Sequence, residues 1–417
     1  MAPPTAISAP ARAPWRMETA RGAEGFFRVA QDAGGQWGLL DPEGVPFFCR
    51  AVHGVRGAPP AGDGTTPQDS AARLRGWGFN AVGAGGDGTG WADGFAFLAA
   101  VDFCAAAPAV TGPGLRLPDV FDPQWPALAQ RRAEQLCAPL AGERQLIGWV
   151  TDDRPGWAQP VAGSATGSGR RERPSLLQLC LSLEPGFAAY HAAWEFALAL
   201  HGGRFEALAR AWGTALANKE AVRELTRAET GLVTRGYLRD DARWTREFAR
   251  RYFTSTAAAI RAVDPHHLVF GCRFDGLAGA AVLAECAYPA VDVAMPDWRE
   301  LPVAGENGAA NPVLAGEVSW TTPEFLKLPT AARLLRLTSV EWMLRRGRTA
   351  LERAARHPAV VGYAWRQWED EPGEQPPFAR GLVHQNGVEA REHTELLSEF
   401  NSRAESLRRA SSKIASP

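Results

Sequence analysis

The chain has 417 residues, of which 46% are hydrophobic and 22% are charged, and its formal net charge is −1 at pH 7. This length fits one large domain or two to three ordinary ones. A net charge close to zero provides no basic surface for nucleic acid or for an anionic membrane, so neither class of partner is expected.

Both ends of the chain have the composition of flexible tails. Residues 1–20 begin with the Pro/Ala-rich string MAPPTAISAPARAP, which lacks the continuous apolar core of a signal peptide. Residues 404–417 are predicted to form a second flexible tail. No run approaches the roughly 18 apolar residues of a membrane span. We therefore predict a cytoplasmic protein with one folded domain over residues 21–403.

The six cysteines are scattered along the chain and form no CxxC pair. Most of them lie in apolar strings such as PFFCRAV (46–52) and LVFGCRF (268–274), which favours buried reduced thiols over disulfides or zinc. The chain shows neither a metal-ligand spacing nor a serine nucleophile elbow. No metal and no cofactor are therefore predicted.

The predicted elements begin with short antiparallel strands in residues 25–52, which are separated by Gly-Gly and Pro-Glu-Gly turns. Apolar runs then alternate with helical segments. A long helical region is predicted over residues 175–262, where Trp244, Phe248 and Tyr252 recur every four residues as a buried stripe. Eight core strands are predicted at residues 46–55, 79–85, 96–104, 146–152, 268–272, 291–298, 312–320 and 360–370.

These eight runs are continuously apolar, as expected for parallel strands that are covered on both faces. The third run, residues 96–104, is also compatible with helix. Eight strand–helix units in about 330 residues favour an α/β fold of the (β/α)8 (TIM) barrel type, with the antiparallel strands as an N-terminal lead-in. Active sites of such barrels lie at the carboxyl ends of the strands, so candidate residues are sought there.

Acidic residues gather at two of these strand ends. Glu317 follows the run PVLAG, and its carboxylate is expected either to enter the barrel mouth or to form an ion pair at the strand end. The string GWVTDDRPGW (148–157) places Asp152 and Asp153 at the end of the fourth strand. Two carboxyl groups that face each other across a barrel would suit glycoside hydrolysis, in which they flank the anomeric carbon.

Two further patterns near the strand ends have competing interpretations. The chain has 15 Trp but 5 Tyr, and tryptophans near the rim could be floors for sugar rings or ordinary core residues. Residues 83–88 fit GxGxxG after a predicted strand, but they continue into a loop. A dinucleotide site requires a helix start at that point, so the pattern does not predict one.

Several strings together resemble the agarase-like glycoside hydrolases and follow that family's order. They include FFRVAQDAGGQWGLLDPEGVPFFCRAVHGV, LRGWGFNAVG, LIGWVTDDRPGW, PVLAGEVSW and VVGYAWRQWED, and the resemblance covers roughly residues 24–402. It implies a retaining (β/α)8 glycosidase, similar to β-agarases and β-galactosidases, that acts on a β-linked saccharide, with galactose-containing saccharides among the candidates. In that clan, a Glu ending strand seven is the nucleophile, and the Glu of an Asn-Glu pair ending strand four is the acid/base.

The resemblance assigns the nucleophile to Glu317 in LAGEVSW and an aromatic wall of the sugar site to Trp365 in GYAWRQWED. The fourth strand departs from the family pattern GYFxDNELxW, because Asp153 stands at the Asn and Arg154 at the acid/base Glu. A guanidinium, with a pKa above about 12, cannot deliver a proton near neutral pH. Asp153 is therefore the candidate acid/base, and Asp152 acting through a water is the other option.

Two functions remain open at this point. The first is hydrolysis with Glu317 as nucleophile and Asp153 as acid/base. The second is a catalytically weak or inactive carbohydrate-binding barrel in which Arg154 pairs with Glu317. Either function has an oligosaccharide or polysaccharide as partner and needs no cofactor. Sugar contacts are predicted from His53, Asp152, Arg154, Arg273, Trp320, Trp365 and Gln367.

Overall fold

The computed structural model describes residues 15–55, 67–86, 94–112, 115–157, 174–274, 276–301, 311–320, 336–372 and 379–414. These residues form a four-stranded antiparallel sheet, a seven-stranded parallel sheet and a two-stranded antiparallel hairpin, with helices around the parallel sheet. From one edge to the other, the strands of the parallel sheet are Leu268–Phe270, Leu146–Val150, Ala96–Ala100, Ala81–Val82, Cys49–Val52, Val360–Trp365 and Val313–Val318.

The strands and helices are numbered here in chain order. The strands are β1 Trp15–Arg21, β2 Arg28–Asp32, β3 Trp37–Leu40, β4 Pro46–Phe47, β5 Cys49–Val52, β6 Ala81–Val82, β7 Ala96–Ala100, β8 Ala109–Gly112, β9 Leu115–Pro118, β10 Leu146–Val150, β11 Leu268–Phe270, β12 Val313–Val318 and β13 Val360–Trp365. The α-helices are α1 Pro67–Gly76, α2 Trp125–Cys137, α3 Leu176–Leu181, α4 Ala188–Ala199, α5 Phe205–Trp212, α6 Lys219–Arg227, α7 Arg235–Val263, α8 Ala280–Glu285, α9 Arg336–Arg356 and α10 Arg391–Ile414.

Seven of the eight predicted core strands are strands of the parallel sheet, including the ambiguous third one, which is β7. The sixth prediction, residues 291–298, forms isolated parallel bridges instead. Val293 bridges to Phe270 of β11, and Ala294 bridges to Val313 of β12, so this segment lies between the two edge strands. The sheet is therefore curled, and the complete eight-stranded barrel stays a prediction.

The antiparallel lead-in is confirmed, and it lies against the amino ends of the parallel strands. The Trp37 backbone N–H donates to the carbonyl of Pro358, which precedes β13. The Ala23 backbone N–H likewise donates to the backbone carbonyl of His266, which precedes β11. This sheet therefore covers one end of the curled parallel sheet, and the carboxyl ends of the strands lie at the opposite end.

Two hydrophobic clusters enclose the parallel strands. The inner cluster combines small strand residues such as Ala51, Ala81 and Ala96 with Val29 and Trp37 of the antiparallel sheet. Small residues suit the inner face because the curled strands bring their side chains close together. The outer cluster lies between the strands and the helices. Both faces are thus covered, which explains why the strands read as continuously apolar.

The predicted helical region over residues 175–262 is confirmed as helices α3 to α7. The stripe of Trp244, Phe248 and Tyr252 lies on α7 and is buried in the outer cluster. All six cysteines are buried and free of disulfides, as predicted. None of the described helices is long and apolar enough to cross a membrane.

Two predicted boundaries need correction, because tail composition does not exclude local structure. The predicted leader, residues 1–20, contains most of β1, which starts at Trp15 and pairs with β2. The predicted tail, residues 404–417, continues α10 as far as Ile414. Within it, the Arg408 guanidinium donates to backbone carbonyls of the β3 and β13 region. The folded part therefore extends beyond residues 21–403 at both ends.

Candidate functional site

Four charged side chains from different strands meet at the carboxyl ends of the parallel sheet. Glu317 is in β12, Arg366 directly follows β13, and Asp153 and Arg273 lie three residues beyond β10 and β11. Asp153 and Arg273 are also joined by a parallel backbone bridge, which continues the pairing of their strands. The structure thus brings together both candidate catalytic acids, as expected for residues at parallel strand ends. The region around Asp153, Arg273, Glu317 and Arg366 is called the mouth of the sheet.

The guanidinium of Arg273 bonds to both of these acids. Its Nε donates to Glu317 Oε1 at 2.5 Å, and its Nη1 donates to Asp153 Oδ1 at 2.9 Å. Its Nη2 donates to the backbone carbonyl of Arg366 at 2.5 Å. The Arg273 side chain is 4% exposed. Arg273 was predicted as a sugar contact, and the structure makes it the shared partner of the two acids.

Arg366 is a site residue that sequence reasoning missed. Its Nη1 donates to Glu317 Oε2 at 2.8 Å, so each oxygen of Glu317 accepts a bond from a different guanidinium. Burial raises the pKa of the Glu317 carboxyl above its ordinary value, and the charges of Arg273 and Arg366 oppose that rise. The signal that could have identified Arg366 in the sequence was its position directly after Trp365, at the end of the eighth predicted strand.

Asp152 faces the helix layer and does not enter the mouth. Its Oδ1 accepts a bond from the backbone N–H of Cys104 at 2.8 Å, and its Oδ2 accepts a short bond from the Tyr252 hydroxyl on α7. Burial raises the pKa of Asp152 to about 7, and the Tyr252 bond opposes that rise. The predicted roles of Asp152 as a sugar contact or as a water-mediated acid do not fit this orientation.

Arg154 lies on the rim of the mouth, where its Nη1 donates to Glu371 Oε1 at 2.8 Å. The two side chains are 31% and 42% exposed. The predicted pairing of Arg154 with Glu317 is therefore corrected, because Arg273 and Arg366 bond the two Glu317 oxygens. The charge of Arg154 still acts on Glu317 and lowers the pKa of that carboxyl. Glu371, like Arg366, was not predicted.

The backbone of Arg154 has an unusual conformation. Its φ is 58°, in the left-handed region, which is uncommon for a residue other than glycine. A bond from the Arg154 N–H to the Arg273 carbonyl, at 2.8 Å, holds the backbone in place. A Pro155-Gly156 turn follows directly. This conformation turns the chain after β10, so that Asp153 faces the mouth and Arg154 faces the rim.

His53 is fully buried beside the strand that carries Glu317. Its Nε2 lies 2.9 Å from the carbonyl of Gly316, and its Nδ1 lies 3.3 Å from that of Ala84. Burial, followed by the nearby charge of Arg273, lowers the pKa of His53 well below its usual value, so the ring is neutral. His53 thus lies against the backbone next to Glu317, and its sugar contact stays a prediction.

The predicted aromatic contacts lie deeper than the rim. Trp320 and Trp365 are fully buried, and their rings meet edge to face with centroids 4.9 Å apart. Trp365 Nε1 donates to the carbonyl of Arg380 at 2.8 Å. Gln367 is also buried. A sugar ring can stack only on an accessible face, so the predicted stacking on these two rings does not fit. Both rings belong to the outer hydrophobic cluster, between the strands and the helices.

The glycine-rich string that fitted GxGxxG has a packing role in its described part, residues 83–86. A Cβ at Gly83 would collide with His53 Nδ1, and a Cβ at Gly85 would lie 2.6 Å from Asp153 Oδ2. Gly85 also has a φ of +84°, which L side chains rarely adopt. These glycines let the loop approach the mouth residues closely. Residues 87 and 88 lie outside the described residues.

Metal binding has no support in the part of the chain that the structure describes. There, no group of three or more His, Cys, Asp and Glu side chains is arranged to hold a metal ion. The acids of the mouth are compensated by guanidinium groups instead. The chemistry of the arrangement is therefore that of buried, charge-assisted hydrogen bonds between carboxylates and arginines.

No protein-family model matches the chain, and no curated protein matches it at a significant level. Solved structures do match. PfGH50B superposes with a TM-score of 0.64 at 16% identity, over 93% of this chain and 68% of its own. An exo-β-agarase superposes with a TM-score of 0.63 at 18% identity, over 96% and 66%. The agarase AgWH50C gives 0.64 at 18% identity, over 95% and 66%.

The chain spans about two thirds of the length of these three proteins. At such identities the likeness concerns the fold. The superposition covers nearly all of this chain, including both the parallel sheet and the N-terminal antiparallel sheet. The chain therefore has an agarase-like glycoside hydrolase fold.

Proposed function

We propose that this glycosidase-like protein binds a β-linked saccharide at the carboxyl ends of its parallel sheet and has little ordinary hydrolytic activity. The agarase-like fold supports the saccharide as ligand, with galactose-containing chains among the candidates. The observation that carries the weak-hydrolysis part is the buried Arg273 guanidinium, which bonds to both Glu317 and Asp153.

Retaining hydrolysis needs two carboxyl groups about 5–5.5 Å apart with the anomeric carbon between them. Here the Arg273 guanidinium bonds to both candidates, and Arg366 bonds to the second oxygen of Glu317. The Glu317 side chain is 1% exposed. A sugar could reach it only after these arginines moved, and that would leave a carboxylate without its partners in the interior, at a high energetic cost.

A proton donor for the leaving group is the second missing part. Arg154 stands at the position that the resemblance gives to the acid/base Glu, and a guanidinium does not release its proton near neutral pH. Asp153 forms an ion pair with Arg273, and a carboxylate in an ion pair can only accept hydrogen bonds. General acid help is worth about 10²–10⁴-fold in rate, so its absence would leave a slow enzyme.

Hydrolysis with Glu317 as nucleophile and Asp153 as acid/base is the second candidate function. It is favoured by the meeting of both acids in one mouth, although they are 164 positions apart in the chain (317 − 153). Asp153 is also 27% exposed and lies on the rim side of Arg273. This function requires ligand binding to draw Arg273 away from the space between the acids.

The saccharide is proposed to contact the partly exposed side chains of Asp153 and Arg154 first. His53 and Gln367 are buried, so either could meet a hydroxyl group only after the groups that cover it had moved. The exposed edge of the site is therefore polar and charged. A polar rim of this kind suits a ligand that is bound mainly through hydrogen bonds to its hydroxyl groups.

The test compares the parent chain with Glu317→Gln on 4-nitrophenyl β-glycosides, whose good leaving group needs no general acid. We expect equal and negligible turnover. Turnover of the parent chain tenfold or more above Glu317→Gln would show that Glu317 acts as a nucleophile and would overturn its blocking by Arg273. Turnover of an unactivated β-linked galacto-oligosaccharide as well would overturn weak hydrolysis and support the second candidate. Glu43→Gln is the matched control, because Glu43 is an exposed partner of Arg144 near the opposite end of the sheet.

The binding half of the proposal is tested separately by calorimetric titration with neutral β-linked galacto-oligosaccharides and with their acidic counterparts. Millimolar or tighter binding of any of them supports it. A complete lack of binding would sink the saccharide function itself. Circular dichroism of each variant shows whether its fold is retained before binding or turnover is compared.

A further inference from the structure

The rim of the mouth carries an arginine whose side chain and backbone are held by separate contacts. We propose that Arg154 is a specificity-determining residue, and that the saccharide bound here carries an anionic group, a carboxylate or a sulfate, which pairs with its guanidinium. This inference rests on the proposed saccharide-binding function and names the class of ligand for that same site.

The three arginines of the mouth differ in how deeply they are placed. Arg273 and Arg366 are mostly buried and bond to Glu317, so they compensate an interior charge. Arg154 is on the rim and bonds to Glu371, which is the most exposed acid of the group. The inner pair therefore stabilises the fold, whereas the outer arginine is accessible to a ligand.

The Arg154–Glu371 pair is one that a ligand can exchange at low cost. An ion pair between partly exposed side chains contributes little to stability, because water screens both charges. A ligand carboxylate or sulfate can replace Glu371, because a guanidinium presents two parallel N–H groups to such anions. Glu371 then returns to water. No buried charge is left without a partner by this exchange, which would not hold for the Arg273 bonds to Glu317.

The backbone of Arg154 supports a role in function. Its left-handed conformation is strained for a residue other than glycine, and residues in such conformations concentrate at functional sites. The bond from its N–H to the Arg273 carbonyl links the rim residue to the interior cluster. A guanidinium is thus held by a strained backbone at the position that the resemblance gives to the proton donor.

The charges of the mouth agree with this assignment. Asp153 is compensated by Arg273, and Glu317 by Arg273 and Arg366. Once an anionic ligand replaced Glu371, every charge of the described cluster would still face one of opposite sign. A neutral saccharide offers no such replacement, and it would have to bind beside an intact Arg154–Glu371 pair.

The test is calorimetric titration of the full chain with three β-linked tetrasaccharides of matched length: a neutral galactose-containing one, one with glucuronate and one with 6-O-sulfate. We expect at least one anionic probe to bind about tenfold or more tightly than the neutral one, which is the size of a charge-assisted hydrogen bond. The two anionic arms distinguish a carboxylate ligand from a sulfate ligand. Added salt should reduce this preference.

Two variants with opposite expected effects assign the preference to Arg154. Arg154→Gln should reduce the preference to about twofold or less, and Glu371→Gln should tighten binding of the anionic probe severalfold by removing its competitor. The matched control is Arg144→Gln, which removes an arginine that bonds to Glu43 at the same distance of 2.8 Å, near the other end of β10. This control variant should change neither the affinity for the neutral probe nor that for the anionic probes.

The possible outcomes separate the anionic-ligand proposal from the saccharide-binding proposal on which it rests. Equal binding of neutral and anionic probes overturns the anionic ligand and leaves saccharide binding intact. A lack of binding by all three probes overturns both. An anionic preference that survives in Arg154→Gln overturns the role of Arg154. If Arg154 were merely structural, Arg154→Gln and Glu371→Gln would both lower the unfolding temperature and would change neutral and anionic binding alike.

Discussion

Asp152 and Asp153 are neighbours in the chain, yet they belong to two different regions of the molecule. Asp152 lies in the outer layer, where its partners are the Tyr252 hydroxyl and the Cys104 backbone N–H. Asp153 lies in the mouth, where its partner is the Arg273 guanidinium. Both are aspartates at the end of one strand, and they differ in burial and in the charge of their partners.

This difference shows how the surroundings decide the chemistry of a carboxyl group. In the outer layer, neutral donors stabilise the carboxylate less than water does, so burial raises the pKa of Asp152 to about 7. In the mouth, cationic donors compensate the carboxylates directly. Asp152 is therefore a buried, pH-sensitive structural group, whereas Asp153 belongs to an ion-pair cluster. Four changes test this comparison.

The largest expected effect comes from removing the shared cation of the mouth. Arg273→Met leaves Glu317 buried with one guanidinium fewer and takes the cation away from Asp153. We expect the free energy of unfolding to fall by about 3–5 kcal/mol, as for other broken buried ion pairs. Urea denaturation measures it, with Arg144→Met as the exposed control, for which less than about 1 kcal/mol is expected.

The double variant Arg273→Met, Glu317→Gln sharpens this first test. Removal of the buried negative charge should restore part of the lost stability, since the penalty arises from an uncompensated carboxylate. Strict additivity of the two changes, or a cost of Arg273→Met no larger than that of Arg144→Met, would contradict the ion-pair cluster.

The second effect is the pH dependence caused by Asp152. Its pKa is about 7 in the folded state and about 3.9 in an unfolded chain, so this group adds stability at low pH that is lost as the pH rises through about 7. Between pH 8 and pH 5 the parent chain should gain about 2–3 kcal/mol relative to Asp152→Asn. Urea titrations at several pH values measure the difference. Parallel curves for the two proteins would show that Asp152 is not the buried acid described here.

The third effect separates the hydroxyl donor from the carboxylate. Tyr252→Phe removes the bond to Asp152, so we expect a loss of about 1–3 kcal/mol and a further rise in the pKa of Asp152, because that bond favours the carboxylate. The pH dependence of unfolding should therefore move to higher pH. Tyr190→Phe, on α4, is the control and should leave that dependence in place.

The smallest effect on stability is expected for Asp153→Asn. Asp153 is partly exposed, and Arg273 keeps its bonds to Glu317 and to the Arg366 carbonyl after the change. A loss of no more than about 1 kcal/mol is expected, as for other partly exposed pairs. Thermal unfolding of Asp153→Asn, compared with that of the parent chain and of Asp152→Asn, measures this loss. A loss as large as that from Arg273→Met would remove the distinction between rim and interior.

Much of the fold could be predicted from local patterns. Continuous apolar runs predicted seven strands that the parallel sheet contains, and the Gly-Gly and Pro-Glu-Gly turns predicted the antiparallel lead-in. The tails were misjudged, because β1 and the end of α10 gain their order from contacts with distant parts of the chain. Composition reports on the average solubility of a segment and carries no information about such partners.

The candidate site was predicted in part. Strand-end position selected Glu317, Asp153, Arg154 and Arg273, which the structure gathers at one edge of the sheet. It did not reveal that Arg273 pairs with acids 44 and 120 positions away. Arg366 and Glu371 were missed for the same reason, since a charged residue at a strand end has no local mark of its partner.

The sequence by itself determined which segments become parallel strands and which side chains stand at their carboxyl ends, because apolar periodicity and strand ends are local properties. Tertiary structure alone decided that Asp152 faces a tyrosine while Asp153 faces an arginine. The chain turns between β10 and Arg154, whose φ is positive, and the direction of each carboxylate depends on what β11 and α7 place beside it. Those neighbours, rather than residue type, decide which aspartate is buried against the helix layer and which belongs to the mouth.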